Sequence, residues 1–446
     1  MSASFDLIIR RGTCVTPNGI DEADIGVISG RVAAIGSLAG DNAAELFEAK
    51  GLHVLPGVID TQVHFREPGN EHKEDLESGS RAAVLGGVTA VFEMPNTNPP
   101  TTTRLAIADK FARAKGRMHC DYAFYVGATP DNIGALGMLE QVPGVAGVKA
   151  FLGSSTGSLL LNRDADILSA LKAGHRRMAV HSEDEARLRE RKELAVSGDV
   201  RTHPFWRDVE TAWASTERVL RLAGQAGRRL HVLHITTEEE LPLLADARDF
   251  ATVETTPQHL TLAAPECYER LGTYVQMNPP IRESRHREAL WRAVNEGLID
   301  VIGSDHAPHT REEKEKTYPD TPSGMPGVQT LVTILLDHVN AGRLSLERFV
   351  DLTSAGAARI FGIAGKGRIA LGYDADFTIV DVNAKRKIEN SWIASKCGWT
   401  PFHGMTTTGW PVATIIRGQA IMRDGALVAG GQGEPVRFVE TLRPLT

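Results

Sequence analysis

Eight apolar runs in the middle of this chain each stop at polar side chains, and most lead into a helix-like segment. The stops fall at Gln62-Val-His64, Met94-Pro-Asn96-Thr97, Gly127-Ala-Thr129, Lys149-Ala-Phe-Leu152, His181-Ser-Glu183, His234-Ile-Thr236, Thr255 to His259 and Asp305-His306. Short, unbroken apolar runs are what strands buried on both faces of a parallel sheet look like. The segments between them include Thr103 to Lys115, Glu183 to Leu194, Thr211 to Ala223 and Glu238 to Ala247, each with helical character. Eight such alternations argue for an α/β chain folded as a (β/α)8 TIM-like barrel.

The two ends read differently. From residue 5 to 55, and again from Ile369 towards residue 430, apolar residues come in short bursts between glycines, which is a β pattern. One small β-sandwich assembled from both termini is therefore expected, with residues 1–55 and 365–446 forming it and 56–364 the barrel. A chain of 446 residues has room for both, since such barrels take roughly 250 residues.

The formal charge of −7 gives no basic surplus for nucleic acid. No run of about 18 apolar residues suggests a membrane span. No basic, apolar leader follows Met1, so the cytoplasm is the expected location. Cys14, Cys120, Cys267 and Cys397 are far apart and form no Cys-x-x-Cys pair, which disfavours disulfide scaffolding and thiolate metal sites.

In a barrel all the strand ends share one face, which gathers His64, Lys149, His181, His234 and Asp305. Nitrogen and oxygen donors of this kind suit a divalent ion such as Zn2+. Taken singly, each histidine also reads as an ordinary hydrogen-bonded residue, and Asp305 as a strand-end cap. Lys149 sits among small and apolar neighbours and must pair, lose its proton or be modified. The charge run from Thr310 to Thr321 reads as a solvated loop near the barrel mouth, and Trp206, Trp213 and Trp291 as packing.

Six motifs make the pattern specific: His64-Phe-Arg-Glu-Pro-Gly69, Glu93-Met-Pro-Asn-Thr97, Gly147-Val-Lys-Ala-Phe151, Ala179-Val-His-Ser-Glu183, His231-Val-Leu-His-Ile-Thr236 and Gly303-Ser-Asp-His-Ala-Pro-His309. Together they resemble the dihydroorotases of the amidohydrolase superfamily, and the resemblance runs from about residue 5 to 430. It implies two zinc ions bridged by a carboxylated Lys149. His181 and His234 would hold the more exposed ion, and His64 with Asp305 the more buried one. It also implies that Asp305 moves the proton, and that Arg66, Asn96 and His309 bind a substrate carboxylate. Asn278 and the backbone of Pro326 and Gly327 would complete the site. The implied reaction is the reversible cyclisation of N-carbamoyl-L-aspartate to L-dihydroorotate in pyrimidine biosynthesis. The implied partner is a small-molecule substrate, in a homo-oligomer for which a dimer is one candidate.

One position departs from the family pattern. Gln62 stands where the first histidine of a His-x-His pair is usual. Three arrangements stay open: ligation through the amide oxygen, a buried ion held without Gln62, or a single-metal site. Two rival readings accompany them, allantoinase or another cyclic-amide hydrolase, and a non-catalytic partner of aspartate carbamoyltransferase. Allantoinases usually carry asparagine where Arg66 stands, and non-catalytic relatives tend to lose several ligands together. Arg66 has its own bland reading, a salt bridge to Glu67 or Asp75.

Overall fold

Every apolar run of the middle segment is a parallel strand in the computed structural model, which describes residues 4–442 apart from 156 and 158. The strands are β1 (Val58–Val63), β2 (Val88–Glu93), β3 (Asp121–Gly127), β4 (Val145–Phe151), β5 (Met178–His181), β6 (Leu230–Val232), β7 (Ala251–Thr255) and β8 (Val301–Ile302). They pair in sequence order from β1 to β8. A parallel bridge between Val63 and His306, with the His64 amide donating to the His306 carbonyl at 2.7 Å, closes the ring. All eight are buried on both faces, which explains why they are rich in apolar residues.

Helices return the chain between strands, and polar caps set where they begin. Thr103 accepts from the Ala106 amide to start Arg104–Ala114, and Asp208 accepts from Thr211 to start Val209–Ala226. The inside of the barrel is filled by Ile59, Phe92, Tyr125 and Leu233, with Phe361 and, from the C-terminal segment, Phe438 packed against them. Among the described residues, no helix is long and apolar enough to cross a membrane.

Both ends of the chain enter one nine-stranded sheet. Strand Phe377–Lys387 pairs with His53–Pro56 and so joins the C-terminal strands to the N-terminal ones. Leu7, Ile25 and Val54 share a core with Phe377, Ile379 and Ile415, the sandwich built from both termini.

The solvated-loop reading of Thr310 to Thr321 is only partly right. Arg311–Lys314 is a helical turn capped by Thr310, while Lys314, Tyr318 and Thr321 are buried. Lys314 Nζ donates to three carbonyls, of Gln276 (3.2 Å), Pro322 (2.9 Å) and Gly324 (3.0 Å). A fully hydrogen-bonded ammonium can be buried at tolerable cost, which a charge count along the sequence does not show.

Candidate active site

The C-terminal ends of the strands surround a small cavity, of about 20 Å³, lined by Gln62, His64, Arg66, Asn96, Lys149, His181, His234, Asn278 and Asp305, among others. The tight turns after the strands place these groups at some backbone cost. Arg66 (φ 64°), His234 (φ 35°) and Asp305 (φ 44°) are the non-glycine residues of the barrel with left-handed backbone among those described. Such conformations cost about 1–3 kcal/mol each and cluster where function needs them.

The side chains fall into two pairs. His64 Nε2 lies 3.2 Å from Asp305 Oδ1, and its Nδ1 lies 2.7 Å from Asn96 Oδ1. An Nδ1–H donated to Asn96 leaves the Nε2 lone pair facing a carboxylate, a contact that a cation between them would relieve. Gln62 Nε2 donates to the same Asp305 oxygen at 2.9 Å, and Gln62 Oε1 is buried without a partner. In the second pair, His181 Nδ1 lies 3.1 Å from His234 Nε2. His181 Nε2 donates to Glu183 at 2.9 Å, and His234 Nδ1 is buried and unpaired.

Lys149 shares the cavity, although it lies within β4 rather than after it. Its Nζ is buried without a hydrogen bond, 4.4 Å over the Phe151 ring, so the buried ion pair considered above is absent. Burial pushes the lysine down to about 7, against the pull of Asp305 and Glu254. Burial also lowers His64, His181 and His234, keeping the imidazoles neutral, as metal ligation requires. For Glu183 burial acts upward, but the charge of Arg207 and the hydrogen bonds from His181 and Arg207 outweigh it and hold the carboxyl well below its usual range.

Arg66 is buried and has no carboxylate within salt-bridge distance among the described residues. Glu67 pairs instead with Arg113 and Arg117, and Asp75 with Lys396, so the bland reading of Arg66 fails. The guanidinium donates to the Pro308 carbonyl (3.2 Å) and lies 3.2 Å from His309 Nε2. Burial lowers it to about 10.

Not every expected residue touches the cavity. His309 lies behind Arg66, and Pro326 and Gly327 line a neighbouring pocket beside His306. Ser323 and Gly324 are the residues of that loop on the cavity. The chain turns away there because Met325 forms a bridge with His306, and the Gly327 amide donates to His306 Nδ1 at 3.1 Å. Three supporting groups went unread in the sequence. Glu183 orients His181; its signal was the His-Ser-Glu triplet itself. His203, fully buried, lies 3.0 Å from Asn278 Oδ1, and Lys314 ties down the loop of Gly324. Neither of those two carries a local signal.

His, Cys, Asp and Glu side chains by themselves form no group of three able to hold an ion among the described residues. The cavity adds a lysine and a glutamine to the two pairs, and two of these donors (Gln62 Oε1 and Lys149 Nζ) are buried without partners. Orphaned buried polar atoms are costly, so this donor set fits a bound cation.

A parallel barrel with imidazole, carboxylate and lysine groups gathered at its strand ends has the layout of a barrel enzyme. The amidohydrolase family model matches residues 53–421, and the chain belongs to that family and is an enzyme of it. A dihydroorotase of Halobacterium salinarum is 40% identical over 388 residues, covering 86% of this chain and 89% of that one. An allantoinase of Rubrobacter xylanophilus is 36% identical over 454 residues, with 98% of each chain covered. The solved L-hydantoinase (dihydropyrimidinase) from Arthrobacter aurescens superposes with a TM-score of 0.93 at 32% identity, covering 97% of this chain and 100% of that one.

Proposed function

We propose that this enzyme is a zinc-dependent dihydroorotase, interconverting N-carbamoyl-L-aspartate and L-dihydroorotate. The observation that carries the reading is Arg66: a buried guanidinium on the cavity wall with no carboxylate of its own. Such a charge needs an anion, and its planar fork matches a carboxylate. Dihydroorotate carries one; the rings of allantoin, hydantoin and dihydrouracil do not.

In this reading His181 and His234 hold one ion, and His64, Asp305 and Gln62 surround the other. Lys149, carboxylated at its unpaired amine with loss of a proton, would offer an anionic oxygen ligand to this centre. Bound divalent ions supply there a more acidic water and polarisation of the substrate carbonyl. Asp305 accepts the proton of the attacking water and returns it to the ring nitrogen as the amide bond breaks, base first and acid second. Ring closure runs through the same groups in reverse order. Arg66 fixes the carboxylate, and Asn278, held by His203, faces the ring. The setting is pyrimidine synthesis in the cytoplasm, by a homo-oligomer. A non-catalytic role is opposed by the donors that remain in place around the cavity.

The test is a panel of dihydroorotate, allantoin, hydantoin and dihydrouracil with wild type and Arg66→Ala. Dihydroorotate should be the preferred substrate. Loss of the buried charge partner should cost about 3 kcal/mol or more, over a hundredfold in kcat/KM. Activity on dihydrouracil should stay within about threefold, because no carboxylate is at stake. Wild-type turnover confined to carboxylate-free rings would overturn the reading in favour of a hydantoinase or allantoinase.

A further inference from the structure

Gln62 is the one position where the donor set departs from two matched imidazole-bearing ends, and its surroundings say how. The side chain is 1% exposed. Its amide nitrogen is committed to Asp305 Oδ1 at 2.9 Å, which leaves Oε1 buried on the cavity wall with no hydrogen-bond partner. A buried amide oxygen costs free energy unless something electropositive meets it. An imidazole here would offer a nitrogen and lose the hydrogen bond that restrains Asp305.

The two ends of the cavity therefore differ in chemistry. The His181–His234 end offers two imidazoles, a set that suits Zn2+. The other end offers one imidazole (His64), a carboxylate (Asp305) and a neutral carbonyl oxygen (Gln62). Oxygen-rich sets favour harder ions such as Mn2+, and a neutral oxygen holds zinc less well than an imidazole does. We infer that the metal centre is asymmetric, with Gln62 Oε1 a ligand that turns the buried end into a weaker, oxygen-preferring position that accepts Mn2+ beside a firmly held Zn2+. The inference rests on the metal-dependent reading above and adds the identity and exchangeability of the second ion.

Metal binding itself provides the test, without any activity measurement. Full-length protein is stripped of metal, treated with bicarbonate and one equivalent of Zn2+, and then titrated with Mn2+ while free Mn2+ is followed by its electron paramagnetic resonance signal. One firmly held zinc and one Mn2+ per chain, bound at least tenfold more weakly than the zinc, is the expected result. Gln62→Met, similar in shape but without the amide, should abolish the Mn2+ class. Gln62→His should do the opposite for zinc, strengthening the second zinc at least tenfold at the expense of Mn2+. Because the two variants move the reading in opposite directions, misfolding cannot mimic the pattern. Two zinc ions of equal affinity, unchanged by either variant, would overturn the inference and leave the dihydroorotase reading intact. One zinc and no Mn2+ class in wild type would also overturn it. Protein that binds no metal at all would sink both.

Discussion

At the scale of single residues, the site depends on groups that hold other groups still. Glu183 shows this most plainly. It fixes the His181 tautomer by accepting from Nε2 at 2.9 Å, and Arg207 Nε holds it in turn at 3.0 Å. Such carboxylate–histidine pairs orient metal ligands, and losing them typically weakens metal binding about 10- to 100-fold. If His181 and His234 hold zinc as proposed, Glu183→Ala should loosen it by that factor, measured by competition with a chelator. An unchanged zinc affinity would mean that His181 is oriented by something else. The sequence made these cavity-lining groups legible, because His64, His181, His234 and Asp305 each follow an apolar run. The pairing was not legible: Gln62 and Asp305 are 243 positions apart, and only closure of the barrel puts them in contact.

At the scale of elements, strands were easier to read than loops, for a physical reason. A strand buried on both faces is largely apolar, so β1 to β5 announce themselves despite the few polar groups they carry, whereas a loop takes its order from partners elsewhere. The helical turn Arg311–Lys314 looked like a solvated charge run, yet Lys314 is buried and gathers three carbonyls from two separate stretches. Those stretches, at Gln276 and at Pro322 to Gly324, flank Asn278 and the cavity wall. Lys314→Met should take a donor from three carbonyls; that of Gln276 keeps the Gly324 amide at 2.9 Å, so the cost is about 1–3 kcal/mol for each of the other two at most, before the loop relaxes. The expected signature is a lower melting temperature together with a KM raised about threefold to tenfold, and a smaller change in kcat, because substrate-lining backbone moves while Asp305 does not. If KM and melting temperature both stay at wild-type values, the loop is held by other contacts.

At the scale of the whole molecule, the barrel and the terminal sheet are joined by buried charge as well as by apolar packing. Lys366 is 5% exposed and meets Asp121 at 2.6 Å and Asp374 at 3.4 Å, and it also bonds to Asp376. Asp121 opens barrel strand β3, whereas Asp374 and Asp376 lead into the sheet strand Phe377–Lys387. Arg417 from the sheet bonds both oxygens of Asp121 at 2.6 Å, and Arg437 from the C-terminal segment bonds Asp374 at 2.9 Å. Sequence reading anticipated a sandwich made from both termini but not this lock, since its members are spread from position 121 to 437. The signs of the pKa shifts give the lock a pH dependence. Burial acts to lower Lys366, but Asp376 and Asp121 outweigh it and raise the lysine above its ordinary 10.5. Its contribution is therefore complete at neutral pH and is lost only as pH rises through that higher value. For Asp121 burial acts upward, but Lys366 and Arg417 prevail and hold it below its ordinary 3.8, so its contribution is lost on acidification. Lys366→Met should leave buried carboxylates uncompensated and cost about 3–5 kcal/mol at pH 7, read from the denaturant midpoint. The cost should shrink near pH 4, where the variant's buried carboxylates, no longer held down by the lysine, can take up protons. An equal loss at both pH values would show that Lys366 acts through packing, because only an electrostatic lock weakens when its anions are titrated.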